Sequence, residues 1–167
     1  SEILQGIHKA IDIAEQQGWN GVVIGNDAPN FSAGANLAMI LMLAIEQEYD
    51  ELDFAIRAFQ QTTMRVRYSG IPVVVAPRGL TLGGGCETTM HANSAVAAAE
   101  TYIGLVEVGA GVIPAGGGTK EFALRASDAY YAGDIQVPAL QNYLMHIATA
   151  KVATSAQEAL EMGILRK

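Results

Sequence analysis

Two glycine-rich stretches and two glutamates are the residues of this chain whose types and spacing could do chemistry. The first stretch is Asn30-Phe31-Ser32-Ala33-Gly34-Ala35-Asn36 and the second is Gly83-Gly84-Gly85-Cys86-Glu87. Each follows an apolar β-type run and leads into a helical pattern. The opening N–H groups of such a helix have no intrahelical partner and point beyond the strand end. Two junctions of this kind aimed at one oxygen would make an oxyanion hole, which stabilises developing negative charge by several kcal/mol. Glu87 closes the second stretch and Glu107 follows in an otherwise apolar run from Leu105 to Val108. An unpaired charge is costly in such a run, so a carboxyl there is suited to proton transfer.

The elements around these residues read as strands alternating with helices. Ile3, Leu4, Ile7, Ala10, Ile11 and Ala14 recur at helical spacing over residues 2–17, and Gly18 ends that helix. Residues 21–25 form a short apolar run bounded by glycines, expected as a buried strand. From Leu37 to about Tyr68 the pattern is helical, with a break expected near Tyr49-Asp50. Residues 73–76 read as a second buried strand and 94–98 as a third. The loop 79–84 opens a helix carrying Cys86, Glu87 and Met90, and further helices are expected at about 119–127, 139–149 and 155–162. Ser155 and Glu158 have capping-box spacing. Strands alternating with helices indicate an α/β domain with much parallel pairing.

Composition narrows the function. The chain has 167 residues, half of them hydrophobic and 16% charged, enough for one domain with a sizeable core. Its net charge of −7, with no basic run, argues against nucleic-acid binding. No run approaches the ~18 consecutive apolar residues that span a membrane. A single cysteine, Cys86, provides neither a disulfide framework nor a zinc cluster and fits a reducing compartment, so the expected localisation is cytoplasmic. Cys86 is expected in the core. His8, His91 and His146 have no ligand spacing, so no metal site is expected. Ser32 lies outside a GxSxG elbow, against a serine hydrolase. Met39, Met42 and Leu43 read as core, with contact to a bound acyl chain as the alternative. The acidic residues Glu46, Glu48, Asp50, Glu51 and Asp53 read as a solvated face. Arg65, Arg67, Arg78 and Lys120 read as surface charges, with phosphate contacts as the alternative. The missing initiator Met and the abrupt Arg166-Lys167 end suggest a piece of a longer chain.

Three further blocks accompany the glycine stretches: Val22-Val23-Ile24-Gly25, Pro72-Val73-Val74, and Gly104-Leu105-Val106-Glu107 followed by Ile113-Pro114-Ala115-Gly116-Gly117-Gly118-Thr119. In order and spacing the set resembles the crotonase superfamily of enoyl-CoA hydratases and isomerases, over about residues 18–120. Residues 139–165 are also similar to the later helices of that family. Phe31 to Leu37 with the Met-rich helix after it, and Gly-Gly-Gly-Thr-Lys-Glu, resemble the hydratase regions fused to 3-hydroxyacyl-CoA dehydrogenases. The resemblance implies a crotonase-like (ClpP/crotonase) α/β spiral of repeated strand–strand–helix units. It implies one enoyl-CoA hydratase-like domain over 1–167, lacking the family's first strands and some C-terminal helical material. The implied activity is addition of water to a trans-2-enoyl-CoA in a bifunctional β-oxidation protein.

Carried onto this sequence, the family pattern puts the oxyanion-hole N–H groups at Ala35 and Gly84. It gives Glu87 the activation of water and Glu107 the delivery of a proton to the α-carbon. Ala33, Gly34, Asn36, Leu37, Gly83 and Gly85 are the implied substrate-binding positions. No cofactor is implied. Coenzyme A enters as part of the acyl-CoA thioester, and NAD would belong to a dehydrogenase region of the parent chain, since no GxGxxG lies between a strand and a helix here. The implied partners are that dehydrogenase region or further copies of the chain, the family being trimeric. Asn36 stands where many relatives carry Asp, and Pro114-Ala115-Gly116 where many carry Pro-Gly-Ala. A Δ3,Δ2-enoyl-CoA isomerase, which needs one carboxylate, and a non-catalytic CoA-thioester-binding module are the alternative readings.

Overall fold

Each of three repeats gives a strand to one small sheet, a strand or single bridge to a second, and then turns into a helix. The computed structural model describes residues 2–135 and 137–166. After helix α1 (Glu2–Gln16), strand β1 (Val22–Ile24) enters the first sheet, and Ser32 makes an isolated parallel bridge to Thr81 at the second. Helices α2 (Leu37–Ile45) and α3 (Tyr49–Arg67) follow. The next repeat is β2 (Val73–Val75) in the first sheet, β3 (Leu80–Leu82) in the second, and α4 (Gly84–His91). The third is β4 (Ser94–Ala95), β5 (Tyr102–Gly104), a short 3-10 turn at Glu107–Ala110, and α5 (Gly118–Asp128). Helix α6 (Val137–Ala148), strand β6 (Val152–Ala153) and α7 (Ala156–Glu161) complete the chain.

The first sheet has the order β1-β2-β4 and is parallel throughout; the second has the order β3-β5-β6, with β3 and β5 parallel and β6 antiparallel. This register does the positioning. Leu82 pairs with Gly104, and Ser32 exchanges hydrogen bonds with Leu80 and Leu82, so the segments after Ser32, β3 and β5 leave one sheet edge in the same direction. Those segments carry Ala35, Gly84 and Glu107.

The larger core lies between the second sheet and helices α4, α5 and α7, where Cys86, Met90, Ile103, Leu105, Phe122 and Ile164 are buried. Phe122 stacks on Tyr143 with ring centroids 4.6 Å apart. Cys86 is in this core as expected, and burial pushes its thiol well above the ordinary range. A smaller cluster, Ile11, Val66 and Val73, joins α1 and α3 to the first sheet. Ser155 caps α7, accepting from the Glu158 N–H at 3.0 Å.

Several expectations need correction. Strands β3, β5 and β6 were not expected: each is only two or three residues long, too short for an alternating pattern to show. The strand at 94–98 is only Ser94–Ala95. Strand β1 is not buried; it is an edge strand, and Val23 is 72% exposed. The helical break lies at 46–48, before Tyr49, where Gln47 takes a left-handed φ of 60°. Met39 and Met42 are exposed and Leu43 is half-buried, so this group is not core: α2 has no buried residue. Its all-apolar sequence gives periodicity nothing to distinguish one face from another. The acidic stretch is exposed as expected, with Asp53 paired to Arg57.

The close approach of β5 to β6 leads to a stability prediction. A Cβ on Gly104 would lie 2.5 Å from the Lys151 carbonyl oxygen and 3.0 Å from the Val152 Cα, both backbone atoms that cannot turn aside. Gly104→Ala is expected to cost about 2 kcal/mol, read as a lower denaturant midpoint with an unchanged slope.

Candidate active site

The two amides proposed from the sequence lie on adjoining loops. Gly34 and Gly83 are neighbours: a Cβ on Gly83 would stand 3.6 Å from the Gly34 Cα. Gly83 adopts φ 55° and ψ −120°, which only glycine takes without strain, and this turns the chain sharply from β3 into α4. Its own N–H is spent on the Gly104 carbonyl at 3.0 Å. The N–H groups of Ala35 and Gly84 donate no hydrogen bond among the described residues, nor do those of Gly85 and Cys86 in the first turn of α4. Those of Ala35 and Gly84 are thus unspent donors on the two loops.

The remaining sequence-derived positions divide by what they touch. Ala33, Gly34, Ala35 and Asn36 are exposed along the first loop, and the Gly34 N–H donates to the Ser32 hydroxyl at 3.2 Å. Asn36 caps α2, its side chain accepting from the Met39 N–H at 3.1 Å, and Leu37 opens that helix half-exposed. Gly85 is buried tightly against the Ser32 side chain, where a Cβ would collide.

Glu87 sits one helical turn beyond Gly83 and is 2% exposed. Its Oε1 accepts from the Gly118 N–H at 2.8 Å. Close approach is possible because the facing loop is glycine: a Cβ on Gly116 would lie 2.5 Å from Glu87 Oε2, and one on Gly118 3.1 Å from Oε1. Burial raises the Glu87 carboxyl to about 7; the Gly118 N–H opposes the shift, the Glu107 charge adds to it, and the Gly116 N–H opposes it further. Glu107 opens the 3-10 turn after β5 and is half-buried. Its Oε1 lies beside Gly83, 3.2 Å from where a Cβ would be, and its buried Oε2 has no hydrogen-bond partner among the described residues. Burial raises this carboxyl too, against its own N–H and that of Val106.

Helix α3 supplies residues that sequence reasoning missed. Phe59 puts its ring between the glycine loops, 3.0 Å from a Cβ on Gly84 and in the space a Cβ on Gly116 would take. Gln60 donates to the Ala115 carbonyl at 2.8 Å and Thr63 to the Gly116 carbonyl at 2.7 Å. Their signal was positional: residues 59, 60 and 63 share one helical face.

Beneath the loop lies a buried ion cluster that was also missed. Glu121 is fully buried and takes both Arg67 hydrogen bonds, at 2.8 and 2.9 Å, with Lys120 at 3.2 Å, Arg166 at 3.7 Å and Arg125 at 3.9 Å. Arg67 and Lys120 are therefore not simple surface charges, and Arg65 is not either, since it holds Asp12 and Glu15 of α1 at 2.8 and 2.6 Å. Arg78 is exposed. Arg125 donates to the carbonyls of Gly163, Ile164 and Met90, and burial lowers its guanidinium to about 10. Among the described residues, no group of three or more His, Cys, Asp or Glu could hold a metal ion, and no helix is long and apolar enough to cross a membrane.

The chain is 48% identical over 166 residues to a probable 3-hydroxyacyl-CoA dehydrogenase of Bacillus subtilis, covering 99% of this chain and 20% of that protein. It is 36% identical over 120 residues to a putative fatty acid oxidation complex trifunctional enzyme of Rickettsia felis, covering 72% of this chain and 16% of the relative. The chain thus spans a fifth or less of the length of these curated relatives. The crystal structure of an enoyl-CoA hydratase from Bacillus anthracis superposes with a TM-score of 0.75 at 29% identity, covering 98% of this chain and 57% of that one. Further enoyl-CoA hydratase structures at TM-scores up to 0.78 share the crotonase fold, as expected from the glycine and glutamate blocks. The family model described as enoyl-CoA hydratase/isomerase matches residues 1–167, and with the strand–strand–helix repeat and the paired glycine loops this makes the chain a member of the enoyl-CoA hydratase/isomerase family.

Proposed function

We propose that this chain is the enoyl-CoA hydratase region of a bifunctional fatty-acid β-oxidation protein that also carries a 3-hydroxyacyl-CoA dehydrogenase, acting in the cytoplasm on trans-2-enoyl-CoA. The thioester carbonyl accepts from the Ala35 and Gly84 N–H groups. Glu87, ionised, takes a proton from water as the water oxygen bonds to the β-carbon. The electron pair of the double bond moves onto the carbonyl oxygen, and the two amides stabilise the enolate. Glu107, protonated, then gives its proton to the α-carbon, completing the 3-hydroxyacyl-CoA. No cofactor enters this scheme.

The observation that supports this reading most strongly is the pairing of two carboxyls, both held above the ordinary carboxylate range, beside two unspent amides on adjoining loops. Hydration needs a base that is ionised near neutrality and an acid that keeps its proton there. A carboxyl at about 7 can take or give a proton near neutrality.

Turnover in deuterated, oxygen-18-labelled water tests the reading. The expected product from a trans-2-enoyl-CoA carries one oxygen-18 at the β-carbon and one deuterium at the α-carbon. Migration of the double bond in a 3-enoyl-CoA, with no oxygen incorporated from either substrate, would identify an isomerase. Thioester binding without turnover would identify a binding module.

A further inference from the structure

Glu87 stands on α4, whereas the N–H that bonds its carboxylate begins α5. The glycine loop 116–118 closes the seam between these helices and has no side chains with which to hold itself in place. Three side chains pack against it: Phe59 at Gly116, Leu105 at Gly118 and, between them at Gly117, His91. His91, one turn after Glu87, is 1% exposed, and its Cε1 and Nε2 lie 2.8 Å from where a Cβ on Gly117 would be. Its Nδ1 is 2.7 Å from the Glu87 backbone carbonyl. A carbonyl can only accept, so Nδ1 carries the proton and donates. Its Nε2 faces Glu121 Oε1 of α5 at 3.5 Å and makes no hydrogen bond among the described residues. The ring therefore touches the backbone of Glu87 on one side and both α5 and its preceding loop on the other. Thr63 holds that loop from above through the Gly116 carbonyl.

We propose that His91 is a positioning residue for Glu87: its ring is the spacer that keeps the 116–118 loop at the height where the Gly118 N–H meets the Glu87 carboxylate. The catalytic consequence rests on the reading of Glu87 as the water-activating base, but the geometry does not. The charged and titratable groups around the pair are Glu121 and Lys120 from α5, Arg67 from α3, Glu107 from the turn after β5, and Cys86 and Arg125 in the core. All are retained in the variants below. Burial lowers the His91 pKa, so the neutral ring acts through its volume and its Nδ1–H.

The Gly118 amide proton, followed by NMR against pH, reports the titration of the carboxylate it bonds. In the unmodified protein its midpoint is expected near the Glu87 value of about 7. His91→Ala removes the spacer. His91→Asn keeps a donor for the Glu87 carbonyl but not the ring, and it decides the matter if the alanine variant does not fold. In both, the midpoint is expected to rise by about half a pH unit or more, because a lost N–H donor no longer favours the ionised form. The acid limb of kcat should move with it while KM stays within about twofold. His91→Phe, which refills the space, is expected to restore both. An unchanged midpoint in a folded His91→Ala or His91→Asn protein, or a phenylalanine variant shifted as far as the alanine one, would overturn the proposal. Failure of the unmodified protein to hydrate any enoyl-CoA would remove the role of Glu87 in turnover, and the amide midpoint would still decide the role of His91.

Discussion

Glu87→Gln is expected to lower kcat by about 10²- to 10⁴-fold with KM changed by less than about threefold, the pattern for a group that acts on the proton in flight. The same variant has a stability signature. The folded carboxyl titrates at about 7, whereas an unfolded glutamate titrates at about 4.3. Between those values the native state holds more protons than the unfolded state, so stability falls as pH rises through this window. Below it the protein has the full stability of the protonated, buried acid; above it that stability is gone. A gap of this size corresponds to up to ~4 kcal/mol. Glutamine does not titrate and can still accept from the Gly118 N–H. Glu87→Gln should therefore be more stable than the parent at pH 8 and close to it at pH 4. Denaturation midpoints at the two pH values check this, and equal pH slopes in the two proteins would mean that Glu87 is not held as described.

The second large effect is expected at the buried Glu121 carboxylate of the ion cluster. Glu121→Gln leaves Arg67, Lys120, Arg125 and Arg166 facing one another without their shared counter-charge. Glu121 and Arg125 are buried, whereas Arg67, Lys120 and Arg166 keep contact with water; removing the buried carboxylate leaves Arg125 and the half-buried Arg67 uncompensated and is expected to cost about 3 kcal/mol. Asp53→Asn, which breaks the exposed pair with Arg57, is expected to leave stability almost unchanged because solvent already screens it. Chemical denaturation of the two variants side by side separates the cases. Similar losses in both would show that burial does not set the strength of the Glu121 cluster.

The comparison of sequence with structure has a physical pattern. The parts legible in advance were those marked by residue types with narrow uses. The glycine-bounded runs, Gly18 at the end of α1, the Ser155 cap and the blocks around Glu87 and Glu107 each reflect a backbone requirement that few other residues meet. Strand Leu80–Leu82 was not legible because three residues between two glycines hold no period. The exposure of α2 was not legible because a helix apolar on every side does not announce which face is covered. At the site, the place of Glu87 beside the second glycine stretch could be read from the sequence, but its contact with the 116–118 loop could not. Phe59, Thr63 and His91 could not, because their significance comes from meeting residues 25 to 57 positions away in the chain. The arginines read as surface charges went wrong for the same reason: only the fold shows that Arg67 reaches Glu121 and that Arg65 ties α3 to α1.

The reading of the site depends on the free amides at positions 35 and 84 gripping a single thioester oxygen. Isotope-edited infrared spectroscopy of an unreactive enoyl-CoA analogue, labelled with carbon-13 at its thioester carbonyl and bound to the protein, measures that grip directly. Two strong donors on one oxygen weaken the C=O bond, so the carbonyl stretch is expected at a clearly lower frequency in the complex than in water. A bound carbonyl that absorbs at or above its frequency in water would contradict the account.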